Sequence, residues 1–278
     1  MITVGLDIGS TTTKAVVLDD RGVAAAVIEA TGVRPAETAA AVLQQAMTAA
    51  HVTPAEVSGI ACTGYGRRLA GFGDLVLTEI KACALGATAT LTTAGPVRTV
   101  IDVGGQDTKV LALSDDGEVE DFSMNDKCAA GTGRFLEMLA QKLDLPYEEF
   151  VAAALRSKAR LQMNATCAVF AESEVVGMLA RDVPKADIAA AAHQAIAARI
   201  GAMVRRVGRR GPYGFVGGGA RNQALVQALI DHLGHGVEVL DQPQCVVALG
   251  AALGARRRLA RLSPNGASES AVQRSARA

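Results

Sequence analysis

Aromatic residues are scarce in this chain of 278 residues, and neither sign of charge is in excess. The chain has no tryptophan, three tyrosines and six phenylalanines, and its 28 basic residues balance 28 acidic ones. Nucleic-acid binding relies on basic surfaces and on aromatic side chains that stack on bases. We therefore expect no nucleic-acid partner, and we interpret the basic run 205-RRVGRR-210 as a solvated helix end.

Long apolar runs and paired cysteines are also missing. No stretch of about 18 uninterrupted apolar residues occurs, so no membrane-spanning helix is predicted. The first residues, MITVGLDIG, lack a basic leader and are interrupted by Asp7, so no signal peptide is predicted. The five cysteines lack the paired spacing of a secreted disulfide framework. We expect a cytoplasmic, reduced protein with no membrane partner.

The opening segment of the chain occurs a second time. The stretches 5-GLDIGSTTTKAVVL-18 and 100-VIDVGGQDTKVLAL-113 align at an offset of 95 residues, with apolar positions in register. The shared pattern D-[IV]-G-x-x-x-T-K makes chance similarity a poor explanation. It predicts a strand–turn–strand unit in two copies, each with an aspartate at the end of the first strand. The matched pairs include Asp7 with Asp102, Gly9 with Gly104, Thr13 with Thr108, and Lys14 with Lys109.

The repeat predicts an α/β protein with two related subdomains. Half of the residues are apolar and a fifth are charged, which is typical of a globular chain. The first subdomain is predicted over residues 1–95 and the second over 96–242. A helix over 243–262 is expected to return to the first subdomain, and residues 263–278 have the composition of a disordered tail.

Three glycine turns that each follow an apolar strand are candidates for phosphate binding. Glycine permits positive φ and lets backbone N–H groups approach an anion, and a helix N-terminus attracts phosphate. Asp7 and Asp102, at equivalent strand ends, suit a Mg²⁺ ion that keeps much of its water shell. The candidate nucleotide-binding residues are Gly9, Ser10, Thr11 and Thr12 in the first turn, Gly104 and Gly105 in the second, and Gly217, Gly218, Gly219 and Asn222 in the third.

In this order, the turns resemble the nucleotide motifs of the actin-like ATPase superfamily, which includes sugar and acetate kinases, heat-shock chaperone ATPases and actin. The phosphate motifs correspond to 7-DIGSTTTK-14 and 102-DVGGQDTK-109, and the adenosine motif corresponds to 216-VGGGARN-222. The resemblance implies two ribonuclease-H-like subdomains with a cleft between them for ATP and Mg²⁺. Neither the Rossmann GxGxxG pattern nor the P-loop GxxxxGK[ST] pattern occurs.

Two cysteines stand just ahead of predicted helices, Cys128 in 124-MNDKCAAGTGRF-135 and Cys167 in 164-NATCAVFAESEVV-176. From the residues alone they are open to interpretation as buried thiols, as a nucleophile at a helix N-terminus, as a disulfide, or as metal ligands. Two thiolates are too few for a closed zinc or 4Fe–4S site, which takes about four. A homodimer would supply four, and positive helix ends would stabilise the anionic cluster.

The stretches MNDKCAAGTGRFLE and C-x-V-F-A-E-S-E-V closely resemble the ATP-dependent activators of 2-hydroxyacyl-CoA dehydratases and the ATPase subunits of benzoyl-CoA reductase. The resemblance extends to about residue 262 and includes 63-TGYGR-67 and 78-TEIKACALGA-87. It implies one 4Fe–4S cluster per dimer, with Cys128 and Cys167 of each chain as ligands. The dimer would be a homodimer or a heterodimer with a related ATPase subunit.

The same resemblance implies that ATP drives a low-potential electron from ferredoxin or flavodoxin to an iron–sulfur acyl-CoA dehydratase or reductase. In that mechanism Asp7 and Asp102 position Mg²⁺ and water, and Gln106 orients the attacking water. Glu172 and Glu174 would cap a helix, tune the cluster, or carry only surface charge.

One departure from the family concerns Cys83, where the family often has histidine. This residue is interpreted either as a third ligand or as a tolerated substitution, whereas Cys62 and Cys245 lie in apolar runs and are expected to be structural. Two alternative functions are a small-molecule kinase of the same fold and a non-catalytic actin-like scaffold or chaperone ATPase. The kinase alternative leaves Cys128 and Cys167 unexplained, and the chain is short for filament subdomains and lacks a peptide-binding domain.

Overall fold

The computed structural model describes residues 1–163, 167–208, 211–234 and 236–262. The chain forms two compact units, which we call unit 1 and unit 2. Unit 1 contains residues 1–89 and the described residues from 245 onwards, and unit 2 contains residues 90–244. The sequence placed these divisions after residues 95 and 242, and the predicted tail, 263–278, lies outside the described residues.

Unit 1 is built on a five-stranded sheet in the order β3-β2-β1-β4-β5. The first three strands are antiparallel neighbours, and β4 and β5 continue the sheet in parallel. The strands are β1 Ile2–Ile8, β2 Thr12–Asp19, β3 Gly22–Ala30, β4 Val57–Thr63 and β5 Leu75–Val76, and the helices are α1 Pro35–Ala49, α2 Glu79–Ala89 and α8 Val246–Leu262.

Unit 2 repeats this plan with a sheet in the order β10-β9-β6-β7-β8. Again three antiparallel strands, β6 to β8, are followed in the sheet by parallel strands on the other side of β6. The strands are β6 Thr99–Val103, β7 Thr108–Leu113, β8 Val119–Asn125, β9 Tyr213–Val216 and β10 Val237–Val239, and the helices are α3 Gly133–Lys142, α4 Tyr147–Arg156, α5 Ala168–Leu179, α6 Lys185–Arg206 and α7 Gln223–Leu233.

Small residues let α8 pack closely in unit 1. A Cβ atom on Gly5 of β1 would collide with the Ala248 carbonyl oxygen, and one on Gly250 would collide with the Ala82 carbonyl oxygen of α2. The alanine- and glycine-rich sequence of α8 therefore allows backbone-to-backbone contact with both β1 and α2. The helix was predicted from residue 243, and it begins at Val246.

Helix α6 is the central support of unit 2. It packs against α3, α4, α5 and α7 and against strands β7 and β8. Its fully buried residues, such as Ile188, Ile196 and Ile200, join Phe135, Phe150 and other side chains in one apolar core. Across the described ranges, no helix has the length and apolar character that a membrane crossing requires.

Candidate functional site

The two halves of the sequence repeat form the same tight loop. We call residues 9–12, between β1 and β2, the first loop, and residues 104–107, between β6 and β7, the second loop. The Gly9 N–H donates to the Thr12 carbonyl oxygen at 3.1 Å, and the Gly104 N–H donates to the Asp107 carbonyl oxygen at 2.9 Å. The predicted duplication is therefore confirmed at the level of individual backbone hydrogen bonds.

Each loop is preceded by a buried aspartate whose cross-strand partner is a lysine. Asp7 is opposite Lys14, and Asp102 is opposite Lys109. The Lys14 ammonium donates to Asp7 at 2.9 Å, whereas Lys109 lies 3.7 Å from Asp102 and 2.7 Å from Asp107. Asp7 and Asp102 are only 7% and 6% exposed, so each carboxylate has an opposite charge nearby, as buried ions require.

Next to each aspartate carboxylate lies a glycine that directly follows the parallel strand beside it in the sheet. A Cβ atom on Gly64, after β4, would lie 2.6 Å from Asp7 Oδ1, and one on Gly217, after β9, would lie 2.5 Å from Asp102 Oδ1. Both glycines have positive φ, 91° and 82°. Gly64 was not among the predicted site residues, although it follows β4 in the motif TGYG as Gly217 follows β9 in the motif VGGG.

The predicted nucleotide-binding residues of the three turns differ in exposure. Ser10, Gln106 and Gly218 are exposed at the tips of their loops. The others in the turns, Gly9, Thr11, Thr12, Gly104, Gly105 and Gly217, are partly buried, and Gly219 is buried. In the third turn a short 3₁₀ segment, Gly218–Arg221, precedes α7, so the helix does not follow the glycines directly.

Asn222 is buried, and its side chain is committed to internal partners. Its Oδ1 atom accepts from the Leu225 N–H at 3.0 Å and caps α7. Its Nδ2 atom donates to the Tyr147 hydroxyl oxygen at 2.9 Å and to His193 Nε2 at 3.0 Å. The described contacts give this side chain a positioning role, because it fixes the end of the third turn to α4 and α6.

His193 completes this network as a neutral imidazole. Its Nε2 accepts from Asn222, so its Nδ1 carries the proton that is donated to the Ala189 carbonyl oxygen at 2.7 Å. The ring also lies against Phe150, with centroids 5.1 Å apart. Burial lowers the pKa of His193 to about 4, and burial raises the pKa of Tyr147. The sequence offered no local partner for His193, because these contacts come from distant segments.

Cys128 lies in a turn between β8 and α3, which we call the cysteine turn, residues 126–132. The Asn125 Nδ2 atom donates to the carbonyl oxygens of Cys128 and Ala130 at 2.9 and 3.0 Å. The Thr132 hydroxyl donates to the Ala129 carbonyl oxygen at 2.7 Å. Cys128 is partly exposed and packs partly against the core of unit 2.

The first two N–H groups of α3 have hydrogen-bond partners inside the chain. The Gly133 N–H donates to the Gly104 carbonyl oxygen and the Arg134 N–H donates to the Gly105 carbonyl oxygen, each at 3.0 Å. These two amides therefore do not bind an anion at Cys128, and stabilisation of a cluster by the positive end of α3 stays a prediction.

Cys167 stands at the N-terminus of α5 and is also partly exposed. Its side chain makes no capping hydrogen bond. The Lys142 ammonium of α3 donates to the Glu172 carboxylate of α5 at 2.9 Å, so Glu172 joins the two helices that follow the cysteines. Residues 164–166, which precede Cys167, lie outside the described residues.

The other three cysteines are buried, as expected for Cys62 and Cys245. Cys62 and Cys83 have no exposed surface, and Cys245 is 5% exposed. Burial, with the Asp74 charge, raises the pKa of Cys62 to about 11, and burial raises that of Cys245. All five cysteines lie in the described ranges and none forms a disulfide.

The donor set of one chain fits half of a thiolate-bound cluster. Two partly exposed thiols, Cys128 and Cys167, belong to the same unit and precede helices joined by an ion pair. Within the part of the chain that the structure describes, no group of three or more His, Cys, Asp or Glu side chains could hold a metal ion. These two thiols are half of the four that a 4Fe–4S cluster takes.

Comparison with known proteins gives consistent matches over nearly the whole chain. Residues 4–255 match the family model described as the BadF/BadG/BcrA/BcrD ATPase family. The chain is 36% identical to the 2-hydroxyisocaproyl-CoA dehydratase activator of Clostridioides difficile over 256 residues, 91% of this chain and 94% of the relative. It is 37% identical to the (R)-2-hydroxyglutaryl-CoA dehydratase activating ATPase of Acidaminococcus fermentans over 264 residues, 93% and 98% of the two chains.

The fold has a close match among solved structures. The activator of the 2-hydroxyisocaproyl-CoA dehydratase from Clostridium difficile, solved with bound ADPNP, superposes with a TM-score of 0.83 at 36% identity. The match covers 92% of this chain and 94% of the other. The two five-stranded sheets are those of an actin-like ATPase, as the sequence resemblance implied.

Proposed function

The chain belongs to the BadF/BadG/BcrA/BcrD ATPase family, and from this premise we propose that it activates a 2-hydroxyacyl-CoA dehydratase by ATP-driven electron transfer. One observation supports the proposal most directly: a glycine loop beside a buried aspartate shares unit 2 with two partly exposed thiols, Cys128 in the turn before α3 and Cys167 at the N-terminus of α5. A nucleotide loop alone would fit many ATPases, and thiols alone would fit many metal sites. Relatives that match over nearly their full length are named as activators of such dehydratases.

The nucleotide is bound, in this proposal, through the three glycine turns. The exposed Ser10 hydroxyl and the partly buried Thr11 and Thr12 offer donors to phosphate oxygens. Asp7 and Asp102 hold Mg²⁺ through its water shell, because a hydrated Mg²⁺ needs few direct carboxylate ligands. Gln106, exposed at the tip of the second loop, orients the water that attacks the terminal phosphate.

Cys128 and Cys167 are the residues that would hold a 4Fe–4S cluster, with two copies of each in a homodimer. When bound, such a cluster supplies one-electron transfer at low potential. Each chain would hold the cluster through Cys128 in the turn before α3 and Cys167 at the N-terminus of α5, and the Lys142–Glu172 ion pair joins these two helices.

ATP is needed because the electron has to move uphill. Moving one electron against 100 mV costs about 2.3 kcal/mol, so a deficit of several hundred millivolts needs an external energy source. Nucleotide binding and hydrolysis can supply it only by favouring different arrangements of the protein. The electron donor is proposed to be ferredoxin or flavodoxin in the cytoplasm, and the acceptor an iron–sulfur acyl-CoA dehydratase.

The test is anaerobic purification of the full chain followed by iron and activity measurements. The proposal expects about four iron atoms per dimer, the content of one 4Fe–4S cluster, and ATP-dependent activation of a 2-hydroxyacyl-CoA dehydratase with reduced ferredoxin. An iron-free protein whose ATP turnover depends on a sugar would contradict it and favour the kinase alternative. A requirement for a non-identical sister subunit would instead favour a reductase subunit.

A further inference from the structure

Three hydrogen bonds join the second loop and the first residue of β7 to the cysteine turn and the first residues of α3. Two are the backbone bonds from Gly133 and Arg134 to the carbonyl oxygens of Gly104 and Gly105. The third runs from the Thr108 hydroxyl, at the start of β7, to the Gly131 carbonyl oxygen at 2.7 Å. Thr108 is 1% exposed, so water does not compete for this bond. The loop and the turn are therefore attached on both sides of Thr132.

Unit 1 uses the same loop positions for a different attachment. There the Gly9 carbonyl oxygen accepts from the Thr31 hydroxyl at 2.7 Å, and the Thr13 and Thr31 hydroxyls are 2.9 Å apart. Thr13 is the repeat partner of Thr108, and Thr31 opens the connection from β3 to α1. That connection covers residues 31–34, whereas its counterpart in unit 2 is the longer cysteine turn, 126–132.

The comparison of the units shows what is specific to unit 2. In both, a loop carbonyl and the following threonine hydroxyl bind the segment that enters the next helix. In unit 1 that segment is short and has no cysteine, and in unit 2 it is extended and carries Cys128. The hydrogen bond from Thr108 is thus the unit 2 counterpart of an attachment that both units make. In unit 2 it holds the turn that carries Cys128, a proposed cluster ligand.

The cysteine turn has little freedom to absorb a shift of the second loop. Gly131 has φ of 96°, and a Cβ atom there would lie 2.9 Å from Arg199 Cδ, so the Gly131 backbone lies against the Arg199 side chain of α6. The Asn125 side chain holds the Cys128 and Ala130 carbonyl oxygens together. A displacement at Gly131 would therefore be passed to Cys128 and not lost in a loose loop.

We infer that Thr108 is a positioning residue for Cys128, and that its hydroxyl transmits the nucleotide state of the second loop to the cysteine turn. The inference rests on the proposed function, in which the second loop binds the nucleotide. Thr108 does not touch the nucleotide or the cluster in this scheme. It couples the two because Thr108 directly follows the second loop and its Oγ1 atom bonds to Gly131, three positions after Cys128 in the cysteine turn.

The test measures the alkylation of Cys128 by iodoacetamide in the reduced, full-length chain, with and without saturating ADP or ADPNP. Peptide mass spectrometry separates Cys128 from Cys167, and a direct titration measures nucleotide binding in each variant. In the unsubstituted chain we expect nucleotide to change the Cys128 rate at least about fivefold, the lower end for coupled sites. In Thr108→Val we expect a change below about twofold while nucleotide still binds.

Thr13→Val is the matched control, because it removes the equivalent buried hydroxyl in unit 1 and its bond to Thr31. Thr13→Val should keep the effect of nucleotide on the alkylation rate of Cys128. Thr108→Ser retains a hydroxyl and should show most of the effect that Thr108→Val loses. Nucleotide binding without any change at Cys128, or an unchanged effect in Thr108→Val, would overturn the inference alone. Absence of nucleotide binding by the unsubstituted chain would overturn the proposed function and the inference together.

Discussion

The Lys109 ammonium lies 2.7 Å from the Asp107 carboxylate and 3.7 Å from that of Asp102. In the other copy of the repeat, Lys14 lies 2.9 Å from Asp7, and Thr12 stands where the second loop has Asp107. Lys109 is 4% exposed, so its attraction to each carboxylate is only weakly screened. Asp107 is thus a second and closer carboxylate for Lys109, and the Lys109–Asp102 ion pair is longer than the Lys14–Asp7 ion pair.

The first prediction concerns Asp107→Asn. Without the Asp107 charge, Lys109 should move towards Asp102 and compete with the hydrated Mg²⁺ that this carboxylate is proposed to hold. We expect the Mg²⁺ concentration for half-maximal ATP hydrolysis to rise about tenfold, equivalent to about 1.4 kcal/mol. Asp121→Asn removes a charge from the exposed face of β8 and should leave the value unchanged. An unaltered Mg²⁺ dependence in Asp107→Asn would show that Asp107 does not control the pairing.

The second prediction concerns the cysteines. Cys128→Ala and Cys167→Ala should each abolish iron binding in anaerobically purified protein, because each substitution removes two of four thiolates from a dimer. Cys83→Ala is the matched control, since Cys83 is fully buried in α2 of unit 1 and should leave iron content unchanged. Loss of iron in Cys83→Ala, with the fold intact by circular dichroism, would instead identify Cys83 as a ligand.

The elements of the fold were predictable from the sequence because their patterns are local. The duplicated D-[IV]-G-x-x-x-T-K pattern located the two strand–turn–strand units, and the predicted helices after Cys128 and Cys167 begin where expected. Hydrogen bonds between distant segments were not predictable. The sequence indicated a positive helix end near Cys128. In the structure, the first N–H groups of α3 donate to the Gly104 and Gly105 carbonyl oxygens, which lie some 30 residues earlier in the chain.

The same limit explains why Gly64 was missed and why Asn222 was placed on the nucleotide. The contact of Gly64 with Asp7 depends on the parallel pairing of β1 with β4, which no local pattern encodes. Asn222 lies in a glycine turn, but its amide is occupied by residues of α4 and α6. Sequence patterns identified the residue types at the site, and the tertiary contacts decided which atoms face inward.

The third prediction compares two glycine substitutions with the same backbone conformation. Gly217 has φ of 82° and ψ of −179°, and Gly234 has φ of 88° and ψ of −172°. Both would be strained by a side chain, at a cost of roughly 1–3 kcal/mol. Only at Gly217 would the new Cβ also collide with neighbours, at 2.5 Å from both Asp102 Oδ1 and the Val103 carbonyl oxygen, because Gly234 has no atom within 4 Å of that position.

We therefore expect Gly217→Ala to displace Asp102 and lower ATP hydrolysis at least about a hundredfold, equivalent to about 2.7 kcal/mol. Gly234→Ala should incur the backbone strain alone and keep its hydrolysis rate within about twofold of the unsubstituted chain. The rates are measured at a temperature where both variants remain folded by circular dichroism. Equal loss of activity in the two variants would attribute the effect to backbone strain and not to Asp102.

The last prediction concerns the pH dependence of stability through His193. Burial lowers its native pKa to about 4 from an ordinary value of 6.5. Below pH 6.5 the unfolded chain therefore takes up a proton that the native chain does not, and stability falls as the pH drops towards 4, by about 3 kcal/mol in all. Urea unfolding at pH 7 and pH 5 should show about 2 kcal/mol of this loss. His193→Gln should remove that part of the pH dependence, and His51→Asn, at an exposed histidine, should retain it. An equal pH dependence in His193→Gln and the unsubstituted chain would contradict a neutral, buried imidazole bonded to Asn222.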